Sequence, residues 1–145
     1  MSTAVSSDRR TLAVQLLTPE GPVFDEPVWM VIATSVEGEI GILPRHAPFI
    51  AFLRTGETRL TLPDDSIIVY ATTEGYMSVE NDTVLVLVEQ AEKAEDIDVP
   101  RAERALERAE AAIADAGEDD VVRVAAESAR RRAENRLRVA RRGES

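Results

Sequence analysis

No cysteine occurs in this 145-residue chain, and there is a single histidine. The first absence removes disulfides, a thiolate nucleophile and any cysteine-based zinc site; the second removes a histidine-rich metal centre. No apolar run approaches the roughly 18 residues needed to cross a bilayer. The first ten residues, Met1 to Arg10, are rich in serine and threonine and carry no apolar h-region. They read as a disordered extension and not as a signal peptide. No glycine-rich loop followed by Lys-Ser/Thr is present, which excludes a P-loop ATPase. The expectation is a soluble, intracellular protein with enough length for a core, either one domain or a small domain with an appendage.

Net charge is −10, but its distribution says more than its sum. Residues 1–97 hold 6 Lys/Arg against 16 Asp/Glu. Residues 98–120 hold 3 arginines against 8 acids, and residues 121–145 hold 8 arginines against 3 acids. The tail is neutral in total and split into an acidic and a basic half. An acidic body argues against a nucleic-acid binder. The basic run Arg130-Arg131-Arg132 with Arg136, Arg138, Arg141 and Arg142 has no interleaved aromatic residue, so it lacks the stacking platform of a single-strand binder.

Up to about Val88 the apolar runs are short: Leu12 to Leu17, Val28 to Ala33, Phe49 to Leu53, Arg59 to Leu62, Ile67 to Ala71 and Thr83 to Val88. Between them stand Pro19-Glu20-Gly21, Pro63-Asp64-Asp65 and Glu80-Asn81-Asp82, all turn chemistry. Thr83 to Val88 is β-branched and apolar throughout, as a strand covered on both faces would be. Short strands at close spacing predict a β-sandwich or flattened barrel.

After Ile97 the period changes. Ala102, Ala105, Leu106, Ala109, Ala112, Ile113 and Ala116 recur at three and four, and Val122, Ala125, Ala126, Ala129, Ala133, Leu137 and Ala140 form a second stripe. Asp98 suits an N-cap, Pro100 a first turn and Gly117 a C-terminal stop. Two helices with so short a connection should form an antiparallel hairpin. Its alanine seam buries little apolar area, at ~25 cal/mol per Å². The hairpin is therefore expected to be marginal, and able to open. The fold class predicted is α+β: a β-sandwich of about ten strands over residues 11–97, then a helical hairpin over 98–145.

Two glycines, two prolines and the lone histidine crowd into Gly38-Glu39-Ile40-Gly41-Ile42-Leu43-Pro44-Arg45-His46-Ala47-Pro48, which predicts a tightly specified, exposed turn between strands. His46 has no Ser or Cys partner arrangement and no second histidine. It reads as a turn residue bonded to local backbone, not as a catalyst. Alternation puts Glu37 and Glu39 on one strand face, and Asp64 and Asp65 adjoin. The oxygen-ligand spacing of an EF-hand is absent, so solvated acids at turns are the simpler reading.

The Glu37–Pro48 run resembles that of the epsilon subunit of F-type ATP synthases. The likeness extends to Pro19-Glu20-Gly21, Gly75-Tyr76, Ala91-Glu92 and Ile97-Asp98-Val99-Pro100-Arg101-Ala102, and so covers nearly the whole chain after residue 10. It implies a non-catalytic rotor subunit of the central stalk. Such a subunit binds the gamma subunit and the membrane ring, reaches the catalytic hexamer through its C-terminal helix, and restrains ATP hydrolysis. It implies a peripheral position on the cytoplasmic face of a bacterial plasma membrane, with no membrane insertion, no nucleic acid and no required cofactor.

By the same resemblance Glu37, Glu39, Arg45 and His46 are contact candidates for the ring, on a loop shaped by Gly38, Gly41, Pro44 and Pro48. Arg130, Arg131, Arg132 and Arg136 are candidates for docking on the hexamer. Glu92, Asp98, Arg101 and Ala102 match a motif that in some members helps bind ATP as a regulatory ligand, with Arg123, Arg130 or Arg131 completing the site. Against that stands a plainer reading, in which Asp98 caps, Arg101 pairs with a carboxylate and Ala102 packs. A free-standing nucleotide-sensing module and a small hydrolase using sandwich carboxylates are the rival functions.

Overall fold

The computed structural model describes residues 9–144. They form two compact units that divide between Glu92 and Lys93. Of the extension expected over 1–10, residues 1–8 lie outside the described residues. Arg9 and Arg10 are anchored, by ion pairs to Asp65 at 2.7 Å and to Asp82 at 2.9 Å.

Ten strands come first: β1 (Leu12–Thr18), β2 (Gly21–Val28), β3 (Met30–Ser35), β4 (Gly38–Ile42), β5 (Phe49–Leu53), β6 (Gly56–Thr61), β7 (Ile67–Thr72), β8 (Gly75–Glu80), β9 (Thr83–Val88) and β10 (Ala91–Lys93), whose last residue is the first of the second unit. They make one hydrogen-bonded sheet in the order β10-β7-β6-β3-β5-β8-β9-β1-β2, with β4 paired to β3. Alternate residues turn inward. Leu12, Val14, Leu16, Val31, Ala33, Ile42, Leu60, Met77, Val84 and Val86 are at most 1% exposed and belong to a single apolar cluster. One cluster fed by strands from both ends of the sheet order requires the sheet to fold over on itself, as a sandwich does.

Three local expectations need correction. The run Val28 to Ala33 is not one strand. Val28 pairs with Leu12, Met30 pairs with Thr61, and the chain turns the corner at Trp29 under the Arg9 guanidinium, 4.6 Å from the ring centroid. The Gly38–Pro48 stretch is only half loop, because Gly38 to Ile42 hydrogen-bonds to Ser35 through Val31 as β4. Thr83 to Val88 has Val84, Val86 and Val88 buried, while Leu85 and Leu87 on its other face are half-buried. Its outer face is thus less covered than its composition suggests.

The second unit begins with a 3-10 turn (Ala94–Asp96) followed by α1 (Val99–Ala116) and α2 (Asp120–Glu144). Asp98 caps α1 by accepting the Arg101 N–H at 3.1 Å, and Pro100 sits in the first turn, where an N–H has no helical partner. Gly117, at φ 56° and ψ −121°, takes a positive-φ conformation that glycine adopts readily, and α1 ends there. Asp119 then caps α2 by accepting the Val122 N–H at 3.2 Å. Ala102, Ala109, Ala126, Ala133 and Ala140 are buried, so the seam is alanine as expected. Val122, placed in the second stripe, is 45% exposed, and Ala125 is also exposed. Both stand on the first turns of α2, ahead of Ala126, its first buried residue.

Candidate functional site

All four ring-contact candidates lie between the end of β3 and the start of β5, on β4 and its flanking turns. Val36-Glu37 is a two-residue turn in which Ser35 Oγ donates to the Gly38 carbonyl at 2.6 Å and accepts the Glu37 N–H at 3.1 Å. Glu37 therefore lies in the turn, not on a strand face beside Glu39. Glu39 projects from β4 toward the Arg59 guanidinium, 3.4 Å away, and Arg59 also pairs with Glu57. Burial acts to lower the Arg59 pKa, but its bond to Glu57 and the charges of both glutamates push it up. Glu39 is thus a compensated charge rather than an isolated anion.

Beyond β4, Leu43 to His46 closes a turn, with the His46 N–H donating to the Leu43 carbonyl at 3.2 Å. His46 Nδ1 donates to the Ala47 carbonyl at 2.7 Å, since a carbonyl oxygen can only accept. Its ring packs against Phe49 with centroids 5.7 Å apart. Arg45 sits at φ 71°, and its N–H donates to Asp82 Oδ1 at 2.6 Å. That amide, and then the Arg10 side chain, hold the Asp82 carboxyl below the ordinary aspartate range. Between its lowered folded value and its unfolded value near 3.9 the unfolded chain binds more protons, so this group's share of stability is complete above about pH 4 and fades as pH falls through the folded pKa. A carboxyl-carbon NMR titration should find the Asp82 midpoint below about 3.9, and Arg10→Ala should move it upward.

Asp64 and Asp65 are turn residues. Asp64 accepts both the hydroxyl and the N–H of Ser66, which lowers its pKa, and Asp65 pairs with Arg9. Among the described residues, no group of three or more His, Cys, Asp or Glu is arranged to hold a metal ion.

In the second unit, Asp98, Arg101 and Ala102 share the first turn of α1, with Ala102 fully buried and Arg101 exposed. Among the described residues no carboxylate pairs with the Arg101 guanidinium, so the partner expected on the capping reading does not appear. Glu92 lies on β10, in the first unit. Arg123 is committed elsewhere: it donates to the Gly117 carbonyl at 2.8 Å and pairs with Asp120 and Glu127, clasping the inter-helix loop. In an antiparallel pair rising 1.5 Å per residue, Arg101 lies roughly 22 Å from the loop end of α1, whereas Arg123 lies only about 5 Å into α2. Arg123 cannot complete a site with Arg101 in the closed hairpin. Arg136, about 24 Å into α2, is nearest its level, Arg132 and Arg138 lie about 5 Å to either side of it, and Arg130 and Arg131 about 6–8 Å short.

The four hexamer-docking candidates do not share a face. At 100° per residue, Arg131, Arg138 and Arg142 line up at i, i+7 and i+11, and all three are exposed. Arg130 is half-buried and pairs with Glu134 at 3.9 Å. Arg132 and Arg136 are half-buried on another side, where Arg132 donates to Ser128 Oγ at 2.8 Å. That side is a second buried stripe, with Asn135 at 2% and Val139 at 0% exposure. Apolar periodicity missed it because Ser128, Arg132 and Asn135 are polar. The exposed stripe was legible in the seven-residue spacing of Arg131 and Arg138.

No helix among the described residues is long and apolar enough to cross a membrane. The build is that of a two-part α+β protein, a β-sandwich first and a helical hairpin second. Residues 11–94 match the family described as "ATP synthase, Delta/Epsilon chain, beta-sandwich domain", and residues 95–141 match "ATP synthase, Delta/Epsilon chain, long alpha-helix domain". The ATP synthase epsilon chain of Halalkalibacterium halodurans is 44% identical over 130 residues, covering 90% of this chain and 97% of that one. The epsilon chain of Geotalea daltonii is 45% identical over 130 residues, covering 89% and 93%. The fold recurs in the mitochondrial ATP synthase of Euglena gracilis (OSCP/F1/c-ring), with TM-score 0.77 and 24% identity, over 86% of this chain and 78% of that one. It recurs again in the central stalk/c-ring of the Tetrahymena thermophila enzyme, with TM-score 0.55 and 15% identity, over 94% and 98%. The chain belongs to the epsilon chain family of F-type ATP synthases.

Proposed function

We propose that this chain is a non-catalytic rotor subunit of the central stalk of a proton-translocating ATP synthase. The observation that carries this reading is the match of both units, in chain order, to the two domains of the ATP synthase delta/epsilon chain. In it, the sandwich binds the gamma subunit and meets the polar loops of the membrane ring through Glu37, Glu39, Arg45 and His46. The complex sits peripherally on the cytoplasmic face of the membrane. The hairpin is the regulatory part. Closed, it permits synthesis; opened, it carries α2 to the catalytic hexamer and restrains hydrolysis. The alanine seam supports this, since a weakly held hairpin needs only a modest partner term to change state. ATP is a regulatory ligand on this reading and not a required cofactor, and the exposed Arg101, which has no ion-pair partner among the described residues, favours it.

Synthase complexes assembled with the wild-type chain, or with Arg131, Arg138 and Arg142 replaced by alanine, test the proposal. At matched occupancy the triple variant should hydrolyse ATP about fivefold faster, equivalent to ~1 kcal/mol of docking spread over three charge contacts. Synthesis should change less, because the sandwich contacts remain. Equal hydrolysis rates would remove the inhibitory role of the stripe. Failure of the wild-type chain to co-purify with the other stalk subunits would remove the rotor reading itself.

A further inference from the structure

The loop after β4 adopts a conformation that its own residues do not favour. Leu43-Pro44-Arg45-His46 has the Leu43 carbonyl bonded to the His46 N–H, proline at the second position and a left-handed residue at the third, φ 71° for Arg45. That is the pattern of a type II turn, whose third position calls for glycine or asparagine. Arginine has a Cβ that clashes in the left-handed region and no short polar group to compensate locally. The third N–H of such a turn also points away from the turn and needs an acceptor from elsewhere.

Asp82 supplies it from 37 residues away, its Oδ1 lying 2.6 Å from the Arg45 nitrogen. The aspartate is itself held from two sides. Its backbone occupies the two-residue turn between β8 and β9, with Asn81 at φ 51° and Asp82 at φ 58°, both in the left-handed region that a type I′ hairpin requires. Its carbonyl accepts the Ala13 N–H of β1 at 2.8 Å, and its Oδ2 accepts from Arg10 Nε at 2.9 Å. The carboxylate thus divides its oxygens, one on the loop and one on the lead-in to β1. A charge-assisted acceptor bonds an N–H more strongly than a neutral one.

We infer that Asp82 is a positioning residue: it locks the Leu43–Pro48 loop in the one conformation that presents Arg45 and His46 as a preformed contact surface. That the surface receives the membrane ring rests on the function proposed above; the lock does not. A loop fixed before docking loses less conformational freedom on binding, so the lock favours association without touching the partner. Arg10 serves it indirectly, by holding the carboxylate in line.

Amide hydrogen exchange of the full-length chain, followed residue by residue by NMR, tests the lock. In Asp82→Ala the Arg45 and His46 amides should exchange about tenfold faster, the scale of losing a charged hydrogen-bond acceptor. The core amides of Val14 and Val86 should be unchanged. Asp82→Asn keeps an oxygen for Arg45 and loses the ion pair to Arg10, so it should fall between wild type and alanine, as should Arg10→Ala. In an Arg45→Gly background, where the left-handed turn no longer needs support, Asp82→Ala should change the His46 amide less. Exchange at Arg45 that is the same in wild type and both Asp82 variants would overturn the proposal. So would a rise shared equally by Val14 and Val86, since that reports global loosening. Synthase complex lacking this subunit should bind Asp82→Ala several-fold more weakly than wild type. Equal binding by a variant whose loop exchanges faster would overturn the positioning role in docking. Exchange is measured on the chain alone, so it tests the lock whether or not the wild-type chain joins a synthase.

Discussion

Gly75→Ala should lower the stability of the sandwich by about 3 kcal/mol or more, at the upper end of overpacking substitutions. Gly75 opens β8 and pairs with Val88, between β5 and β9. A methyl carbon there would lie 1.8 Å from the Leu87 carbonyl oxygen and 2.8 Å from Val88 Cα. Both are backbone atoms of a neighbouring strand, so no side chain can swing aside and the strands must part. The glycine is required for close approach, not for a left-handed turn. Gly41→Ala is the matched control, because the nearest atom to its new methyl is Ile32 Cγ1 at 4.0 Å, an ordinary contact. Thermal unfolding of the full-length chain should show the Gly75 variant melting about 12 °C or more below wild type, with the Gly41 variant within about 3 °C. A Gly75→Ala chain that melted with the control would mean that β8 and β9 do not approach as described. The consequence reaches beyond stability, since β8 runs directly into the Asn81-Asp82 turn that holds the Arg45 loop.

The strands legible in the sequence are those whose residues are apolar and β-branched, such as β1, β7 and β9. Those hidden carry the residues that sheets usually exclude. β2 contains Pro22 and Pro27, which remove ladder donors, and it survives because it is the last strand of the sheet, where one side needs no partner. β4 contains Gly38 and Gly41 and reads as turn; its pairing to β3 is a tertiary fact that propensity does not carry. β8 alternates correctly, with Met77 and Val79 buried, but its glycine start and its serine and glutamate blur the signal. The helices are more legible because caps and stops are local chemistry. Asp98, Pro100 and Gly117 act within a turn of where they stand.

The candidate site is less legible, for a physical reason. Arg45 and His46 are conspicuous in the sequence, yet what fixes their loop is a carboxylate 37 residues away. No spacing rule links the two. The arginines of α2 illustrate the converse. A run of three in a row looks like one cluster, but a helix sends consecutive residues about 100° apart. Arg131, Arg138 and Arg142 share the exposed face, while Arg132 turns toward a stripe that is buried though polar.

Arg101→Ala should weaken ATP binding by the full-length chain about ten- to a hundredfold, the loss of ~1.5–3 kcal/mol for a charge-assisted contact to phosphate. The guanidinium is exposed at the first turn of α1, where backbone N–H groups and the helix dipole also favour an anion. Asp98 cannot share that role equally, because its carboxylate is engaged with the Arg101 N–H at 3.1 Å and its negative charge would oppose a phosphate. Its contribution is to the helix. Asp98→Ala should lower hairpin stability by about 0.5–2 kcal/mol, and affect ATP only to the extent that it depopulates the folded hairpin. Because Arg123 is committed to the inter-helix loop, Arg123→Ala should loosen that loop and leave affinity for ATP nearly unchanged. Arg130→Ala or Arg131→Ala, nearer the level of Arg101, should weaken it. Calorimetric titration with ATP separates these outcomes. Absence of binding heat up to millimolar ATP would reduce Asp98 to a cap and leave Arg101 as an exposed charge, with the hairpin governed by its protein partners alone. Binding that survived Arg101→Ala unchanged would move the nucleotide away from α1.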